Sequence, residues 1–264
     1  MASSKNKKQS KTTKSASNMV IAGAMTVAVA TTGIGGYTIG NVVGENSSSL
    51  RPTYVVSGSR LAQAKDSLAG LKTRESLPTK EYDSKKYAQW ADLDGDGCDT
   101  REEVLFRDLE VRESDGTNCG LKSGTGFNYY SADTERYLIY DPTISKDDNT
   151  STTNNKAIQI DHIVSKKNAW DNGGSTWTDK KWKKFVNYEN NLIATYAYDN
   201  TSKGSKDATE WLPSNKKYHC LFAVKQIETK AEFELTVTEP ERNKLSELLR
   251  TCKVRKSSND KIDE

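Results

Sequence analysis

The most informative part of the sequence is Ala157-Ile-Gln-Ile-Asp-His-Ile-Val164. Its apolar residues alternate with polar ones as far as Asp161, which predicts a β-strand. The strand ends on an adjacent carboxylate and imidazole, those of Asp161 and His162. Because neighbouring strand residues point to opposite faces, a bend or twist is needed before both side chains can serve one site. At such a site Asp161 would reach a metal while His162 faces the water to be activated.

Outside this strand, the chain carries further helix and strand patterns. Apolar residues at helical spacing and capping residues predict helices over 59–71, 99–108, 178–186 and 238–249. Thr238 or Thr236 would cap the last helix, and Pro240 lies in its first turn. A second apolar run predicts a strand over 191–198. The class is therefore α+β, with short strands and long polar loops.

The charge of the chain is segregated along its length. The formal net charge of +3 includes five lysines that precede the first acid, so overall charge does not indicate a nucleic-acid partner. Residues 92–115 carry ten acids and three arginines, whereas residues 156–206 carry nine lysines and five acids. The second segment could form a local basic surface.

The four cysteines are widely spaced and form no CxxC pair. An even number at such spacing suits two disulfides in an oxidising compartment, and four cysteines allow three connectivities. We predict Cys98–Cys119 and Cys220–Cys252, because each of these pairs brackets a single compact segment. A four-cysteine zinc site is the rival, but zinc-binding cysteines usually come in close pairs.

The N-terminus predicts export. Residues 1–18 are rich in Lys and Ser, residues 19–30 are apolar, and Ala28-Val-Ala30 resembles a signal-peptidase site. An uncleaved membrane anchor over residues 19–40 is the alternative. The expected organisation is a basic N-terminus with signal peptide or anchor (1–44), a linker with a short helix (45–74), the folded domain (75–253) and a polar tail (254–264).

Several ordered segments resemble a known family. They are Asp92 to Leu105, Asp161 to Trp170, Asn191 to Ala194, Asn200 to Pro213 and Tyr218 to Cys220. In order and spacing they resemble HNH endonucleases with a ββα-metal core, and most closely the secreted bacterial HNH proteins related to the C-terminal domain of GmrSD-type restriction enzymes. The resemblance covers residues 75–253. The chain departs from the family at Ser165, where Pro is common, and in the unusually polar loop 143–155.

The resemblance implies a role for each residue of the motif. His162 would be the general base, and Asp161 and Asn200 would hold one Mg²⁺ or Mn²⁺, with Asn200 opening a helix. Asn191 would orient the hairpin or the base. The candidates for phosphate contacts are Lys203, Lys206 and Arg101. The other histidine, His219, lies outside the motif and is expected to be structural.

The function that the resemblance implies is an exported, metal-dependent endonuclease that hydrolyses phosphodiester bonds. DNA is favoured over RNA as the partner, and low sequence specificity would agree with the modest basicity of the chain. No small-molecule cofactor is expected. Two alternatives stay open: a calcium-stabilised extracellular binding module with an inert Asp161-His162 pair, and a nuclease-fold protein kept as a toxin or adhesion partner.

The acidic stretch Asp92 to Glu103 matches the spacing of a calcium-binding loop. Asp92, Asp94 and Asp96 occupy its first, third and fifth positions, and Glu103 occupies the twelfth. A plainer interpretation makes Asp99 a helix cap that forms a capping box with Glu102. A third places Arg101 and Glu103 beside the active site.

Overall fold

The computed structural model describes residues 54–87, 89–132, 137–141 and 157–255, which belong to one compact unit spanning residues 49–264. The predicted leader or anchor (1–44), the polar loop 143–155 and the tail beyond residue 255 lie outside the described residues. Among the described residues, no helix is both long and apolar enough to cross a membrane.

Helices and short strands alternate through the described ranges. The helices are α1 (Gly58–Gly70), α2 (Thr100–Asp108), α3 (Lys166–Asp171), α4 (Asp179–Val186), α5 (Ala197–Lys203), α6 (His219–Glu232) and α7 (Glu239–Leu249). The strands are β1 (Val56–Ser57), β2 (Leu109–Ser114), β3 (Leu121–Phe127), β4 (Tyr137–Tyr140), β5 (Ile158–His162), β6 (Leu192–Tyr196) and β7 (Val254–Arg255). Single turns of 3-10 helix lie at Gly174–Thr176, Glu189–Asn191 and Lys216–Tyr218.

The strands form three small sheets. Strands β2, β3 and β4 form an antiparallel sheet, β5 and β6 form an antiparallel pair, and β1 pairs in parallel with β7. In the β5–β6 pair, Ile158 lies opposite Tyr196 and His162 opposite Leu192. Helix α5 begins at Ala197, immediately after β6. The α+β class is therefore confirmed.

Capping side chains explain where the predicted helices begin. Asp99 and Glu102 form a capping box at the start of α2, Thr178 caps α4, and Thr238 caps α7 with a proline in its first turn. Such side chains satisfy backbone N–H groups that have no partner within the helix. These three predictions are confirmed, whereas the strand expected over 191–198 ends at Tyr196.

The first helix belongs to the core. The buried side chains of Leu61, Ala64 and Leu68 on α1 pack in one apolar cluster with residues of α6 and α7. The helix predicted over 59–71, within the segment 45–74, is confirmed, and its buried face packs on the folded domain.

The β5–β6 hairpin is packed on both faces. Ile158, Ile160, Leu192 and Ala194 share a buried cluster with apolar residues of α2 and of the three-stranded sheet. The aromatic side chains of a second cluster contact the opposite face and the strand end, at Ile193 and Ile163; they are Tyr130, Tyr218 and Phe222. Because burial of each large apolar side chain contributes about 1.5–3 kcal/mol, this packing holds the end of the hairpin firmly.

Both predicted disulfides are present. Cys98 pairs with Cys119, and Cys220 pairs with Cys252. No cysteine remains free, so the rival four-cysteine zinc site is excluded.

Candidate active site

A cleft of about 260 Å³ lies where the β5–β6 hairpin meets α5. Asp161, His162 and Asn200 all line this cleft. The first two end β5, and the third lies in the middle of α5. The structure thus brings the three principal candidates of the sequence analysis into one site.

The carboxylate of Asp161 is almost completely enclosed, with a relative exposure of 4%. One oxygen accepts a hydrogen bond from Lys203 Nζ at 3.0 Å, and the other accepts from the Tyr130 hydroxyl at 2.6 Å. Burial raises the pKa of Asp161, while the Lys203 ammonium and the Tyr130 hydroxyl act in the opposite direction. Each carboxylate oxygen retains a second lone pair with which it could bind a metal ion.

The imidazole of His162 has a defined tautomer. Its Nε2 lies 2.8 Å from the carbonyl oxygen of Val186. Because a carbonyl can only accept, Nε2 carries the hydrogen and Nδ1 holds the free lone pair. The ring lies nearly parallel to Trp90, with 5.6 Å between centroids and 7° between planes. The proton-accepting nitrogen is thus Nδ1, on a ring whose orientation is fixed by its neighbours.

The surroundings of His162 keep the ring neutral. Burial lowers the pKa of His162 to about 3, and the positive charges of Lys166 and Lys203 act in the same direction. The Val186 carbonyl opposes this shift. At neutral pH the imidazole is therefore unprotonated, as a proton acceptor must be.

The side chain of Asn200 is held by the neighbouring strand. Its Nδ2 donates to Gln159 Oε1 on β5 at 2.8 Å. This bond uses the amide nitrogen, so the amide oxygen is the group with which Asn200 could bind a metal. Asn200 does not open the helix as expected but lies four residues into α5, which begins without a side-chain cap.

The residues of the cleft suit a hard divalent cation. Asp161 offers carboxylate oxygens and Asn200 offers an amide oxygen, and both residues border the same space. Mg²⁺ prefers oxygen ligands and keeps several of its waters, and Mn²⁺ also suits carboxylate, carbonyl and water ligands. The donor set therefore fits such an ion.

Asn191 acts on the hairpin from outside the cleft. It is completely buried, its Oδ1 accepts from Val164 N at 2.7 Å, and its Nδ2 donates to Val164 O at 3.0 Å. A backbone bond from Ile163 N to Asn191 O, at 2.8 Å, lies next to this pair. Asn191 thus ties the start of β6 to the segment that follows His162.

None of the three candidates for phosphate contacts lines the cleft. The Lys203 side chain is fully buried, and its Nζ donates to Asp161 and, at 2.7 Å, to His162 O. Arg101 is half-buried in the first turn of α2 and does not line the cleft. Lys206 is exposed and donates to Ser202 O. Lys203 is thus enclosed and paired with Asp161.

Three residues of the site were not singled out in the sequence. Tyr130 lies in the chain after β3, Gln159 precedes Asp161 by two positions, and Lys166 begins α3. Gln159 shares a strand face with Asp161, and this is a signal that the alternation contained. Nothing local identifies Tyr130, because its contact with Asp161 spans 31 residues.

The acidic loop forms a separate group of carboxylates. Oxygens of Asp92, Asp94 and Asp96 all lie within 4.8 Å of one another. Burial raises the pKa of Glu103, and the negative charges of Glu189 and of these three aspartates add to that rise. The loop is held by backbone N–H groups, including Gly95 N and Gly97 N, which donate to Asp92. Asp99 also forms the expected capping box, so the helix-cap interpretation holds for that residue.

Comparison with known proteins identifies the family. Residues 121–248 match the family described as GmrSD restriction endonucleases, C-terminal domain. This range contains the whole cleft-forming hairpin and α5, whereas the acidic loop lies before it. The chain belongs to the family of the GmrSD C-terminal domain.

A curated relative is similar over most of the chain. It is a protein of Arthroderma benhamiae named "Uncharacterized secreted protein", which is 31% identical over 191 residues. The match covers 72% of this chain and 84% of the relative. No solved structure matches the chain significantly.

Proposed function

We propose that this protein is an exported, metal-dependent endonuclease of the HNH type. The observation that carries the proposal is the meeting of Asp161, His162 and Asn200 in one cleft, with a neutral imidazole among them. The antiparallel β5–β6 pair followed directly by α5 has the order of a ββα-metal motif. Membership of a restriction-endonuclease domain family supports a phosphodiester as the substrate.

In the proposed reaction, His162 activates a water molecule. The water oxygen forms a bond to phosphorus as its proton passes to Nδ1 of His162, and the bond from phosphorus to the leaving sugar oxygen breaks. That leaving oxygen takes a proton from solvent. The hydrogen bond from Nε2 to Val186 O keeps Nδ1 as the accepting atom and supports the ring once it is protonated.

Asp161 and Asn200 would hold one Mg²⁺ or Mn²⁺ ion. When bound, the ion would neutralise charge on the phosphate that reacts. Lys203 and Tyr130 keep the Asp161 carboxylate oriented at the cleft by occupying one lone pair of each oxygen. Asn191 fixes the backbone that follows His162 and is in this proposal a positioning residue.

DNA is the proposed substrate, in preference to RNA, and low sequence specificity is proposed. The printed description of the matched family, restriction endonucleases, supports DNA. Export is supported by the name of the relative, a secreted protein. The alternative, a membrane anchor over residues 19–40, stays a prediction, because these residues lie outside the described ranges.

The test is cleavage of supercoiled plasmid by the purified chain with Mg²⁺, Mn²⁺, Ca²⁺ or EDTA. We expect nicking with Mg²⁺ or Mn²⁺, and a loss of about 10²–10⁴-fold in His162→Ala, the range that general-base catalysis contributes. The matched control is His219→Ala, because His219 is the only other histidine and its ring bonds Pro213 O instead. Asn200→Ala should raise the Mg²⁺ concentration needed for half-maximal rate.

Folding of each variant must be measured, so that loss of cleavage can be separated from loss of structure. Thermal melting identifies any variant that fails to fold, and His162→Gln then replaces the alanine variant, because its amide can still donate to Val186 O. A folded protein that cleaves neither DNA nor RNA, or a fully active His162 variant, would refute the proposal. In the first case the calcium-stabilised binding module becomes the better account, since the convergent aspartates of the acidic loop favour it.

A further inference from the structure

Lys166 is a half-buried cation on the wall of the cleft. It is the first residue of α3, and it borders the same space as Asp161, His162 and Asn200. Its Nζ donates to the carbonyl oxygen of Tyr87 at 3.1 Å. Within the described ranges, no carboxylate lies within ion-pair distance of it, so its charge is not neutralised by the protein there.

The next residue provides a direct contrast. Lys167 also borders the cleft, but its Nζ lies 2.5 and 2.6 Å from the two carboxylate oxygens of Asp171. Two lysines of one helical turn thus differ in one respect that matters for an anionic ligand. The charge of Lys167 is already paired with Asp171, whereas Lys166, which borders the same cleft, has no carboxylate partner among the described residues.

Keeping an ammonium charged in a partly buried position without a counter-charge is unfavourable in free energy. Burial lowers the pKa of Lys166, because the protein around it solvates the ammonium less well than water does. An anion that entered the cleft would remove this cost by pairing with the ammonium. The anion that the proposed function brings to this cleft is a phosphodiester.

We propose that Lys166 is a substrate-contacting residue that binds the phosphate group undergoing cleavage. The proposal rests on the proposed nuclease function. As the water oxygen bonds to phosphorus and the bond to the leaving oxygen breaks, negative charge on the phosphate oxygens is offset by the Lys166 ammonium. Lys166 keeps its own proton throughout, so its contribution is charge and not proton transfer.

The test compares four variants of the full chain: Lys166→Met, Lys166→Gln, Lys166→Arg and Lys167→Met. Cleavage is measured with Mg²⁺ under single-turnover conditions. We expect a loss of about 100-fold in Lys166→Met and Lys166→Gln, which is the effect of removing one preorganised charge-stabilising group. Arginine cannot act as a proton donor at neutral pH, so Lys166→Arg should keep activity within about tenfold if charge is what matters. Lys167→Met should change the rate by less than about threefold.

A binding measurement separates contact with phosphate from a structural role. In a His162→Ala background with EDTA, affinity for a short duplex is measured at several salt concentrations. Log affinity falls as log salt rises, and removal of one phosphate contact should make this negative slope less steep by about 0.9. A structural tie to Tyr87 alone would lower the melting temperature and leave this slope unchanged, and Lys166→Gln retains an amide that can still donate to Tyr87 O.

The two hypotheses fail in different ways. If the wild type cleaves DNA and the folded Lys166 variants cleave equally well with an unchanged salt slope, the Lys166 inference is wrong and the nuclease proposal stands. If the wild type cleaves nothing but the slope becomes less steep only in the Lys166 variants, the phosphate contact is supported and the nuclease proposal fails.

Discussion

Asn191 illustrates how one buried amide can control the geometry of a site that it does not enter. Its oxygen and nitrogen bond both polar groups of the Val164 backbone, at a position where no water is available to replace them. A buried backbone group that loses its partner costs about 1–3 kcal/mol. The segment after His162 therefore depends on this side chain for its backbone hydrogen bonding.

We expect Asn191→Ala to lower the free energy of unfolding by about 2–4 kcal/mol, because two buried backbone groups lose their partners. The measurement is chemical denaturation followed by circular dichroism. Asn190→Ala is the neighbouring control: Asn190 is half-buried and bonds the side chains of Lys225 and Glu228, and we expect a cost of about 1 kcal/mol or less. Equal stability of Asn191→Ala and the wild type would contradict the role given to this residue.

Among single residues, the sequence identified those candidate site residues that lie together in short motifs. Asp161 and His162 are adjacent at the end of one strand, and the resemblance supplied Asn200. It did not predict the partners that reach the site from elsewhere, such as Tyr130, nor the pairing of Lys203 with Asp161. Such contacts depend on how distant segments pack, and local spacing does not encode them.

Among the elements, most helices that begin with a capping side chain were predicted, although α3, which Ser165 caps, was not. The helix that follows Asp99 and the one that follows Thr178 both have a side-chain cap, which is visible in the sequence. Helix α5 begins after Tyr196 without a side-chain cap. The strand predicted over 191–198 therefore extends two residues past the observed end of β6. The sheet of β2, β3 and β4 was not predicted, because β2 and β3 are rich in charged, Ser and Gly residues and β4, Tyr137–Tyr140, has only four residues.

The acidic loop is an element whose binding properties can be tested by themselves. Three aspartate carboxylates converge within 4.8 Å, and like charges this close favour a bound cation. We expect about 10 mM CaCl₂ to stabilise the chain by about 2–3 kcal/mol, the increment for a ligand at 100 times a dissociation constant near 10⁻⁴ M. Thermal melting with and without calcium measures this increment.

Asp94→Asn should remove most of the calcium increment, since it removes one of the three charges. The matched control is Asp115→Asn, because Asp115 is an exposed turn aspartate that accepts hydrogen bonds from Thr117. A wild type that melts at the same temperature with and without calcium would show that the loop is held without a bound cation, by its hydrogen bonds and the Cys98–Cys119 disulfide.

At the scale of the whole molecule, the disulfides fasten two different parts of the fold. Cys98–Cys119 ties the acidic loop to the turn between β2 and β3, across 21 residues. Cys220–Cys252 ties the first turn of α6 to the segment after α7, across 32 residues, and its sulfurs lie in the cluster that also buries α1. Cysteine spacing predicted both pairs, because each closes a local segment.

Removing Cys220–Cys252 should therefore destabilise the protein more than removing Cys98–Cys119. Loop entropy alone assigns about 3–4 kcal/mol to each bond, because that term changes only slowly with loop length. The pair Cys220→Ala and Cys252→Ala also takes sulfur atoms out of the apolar cluster around α1, α6 and α7, so an additional loss of about 1 kcal/mol is expected. Urea denaturation of the two double variants measures the difference. Equal losses would mean that the bonds act only by restricting the unfolded chain, and a larger loss without Cys98–Cys119 would place the weak point of the fold in the acidic loop.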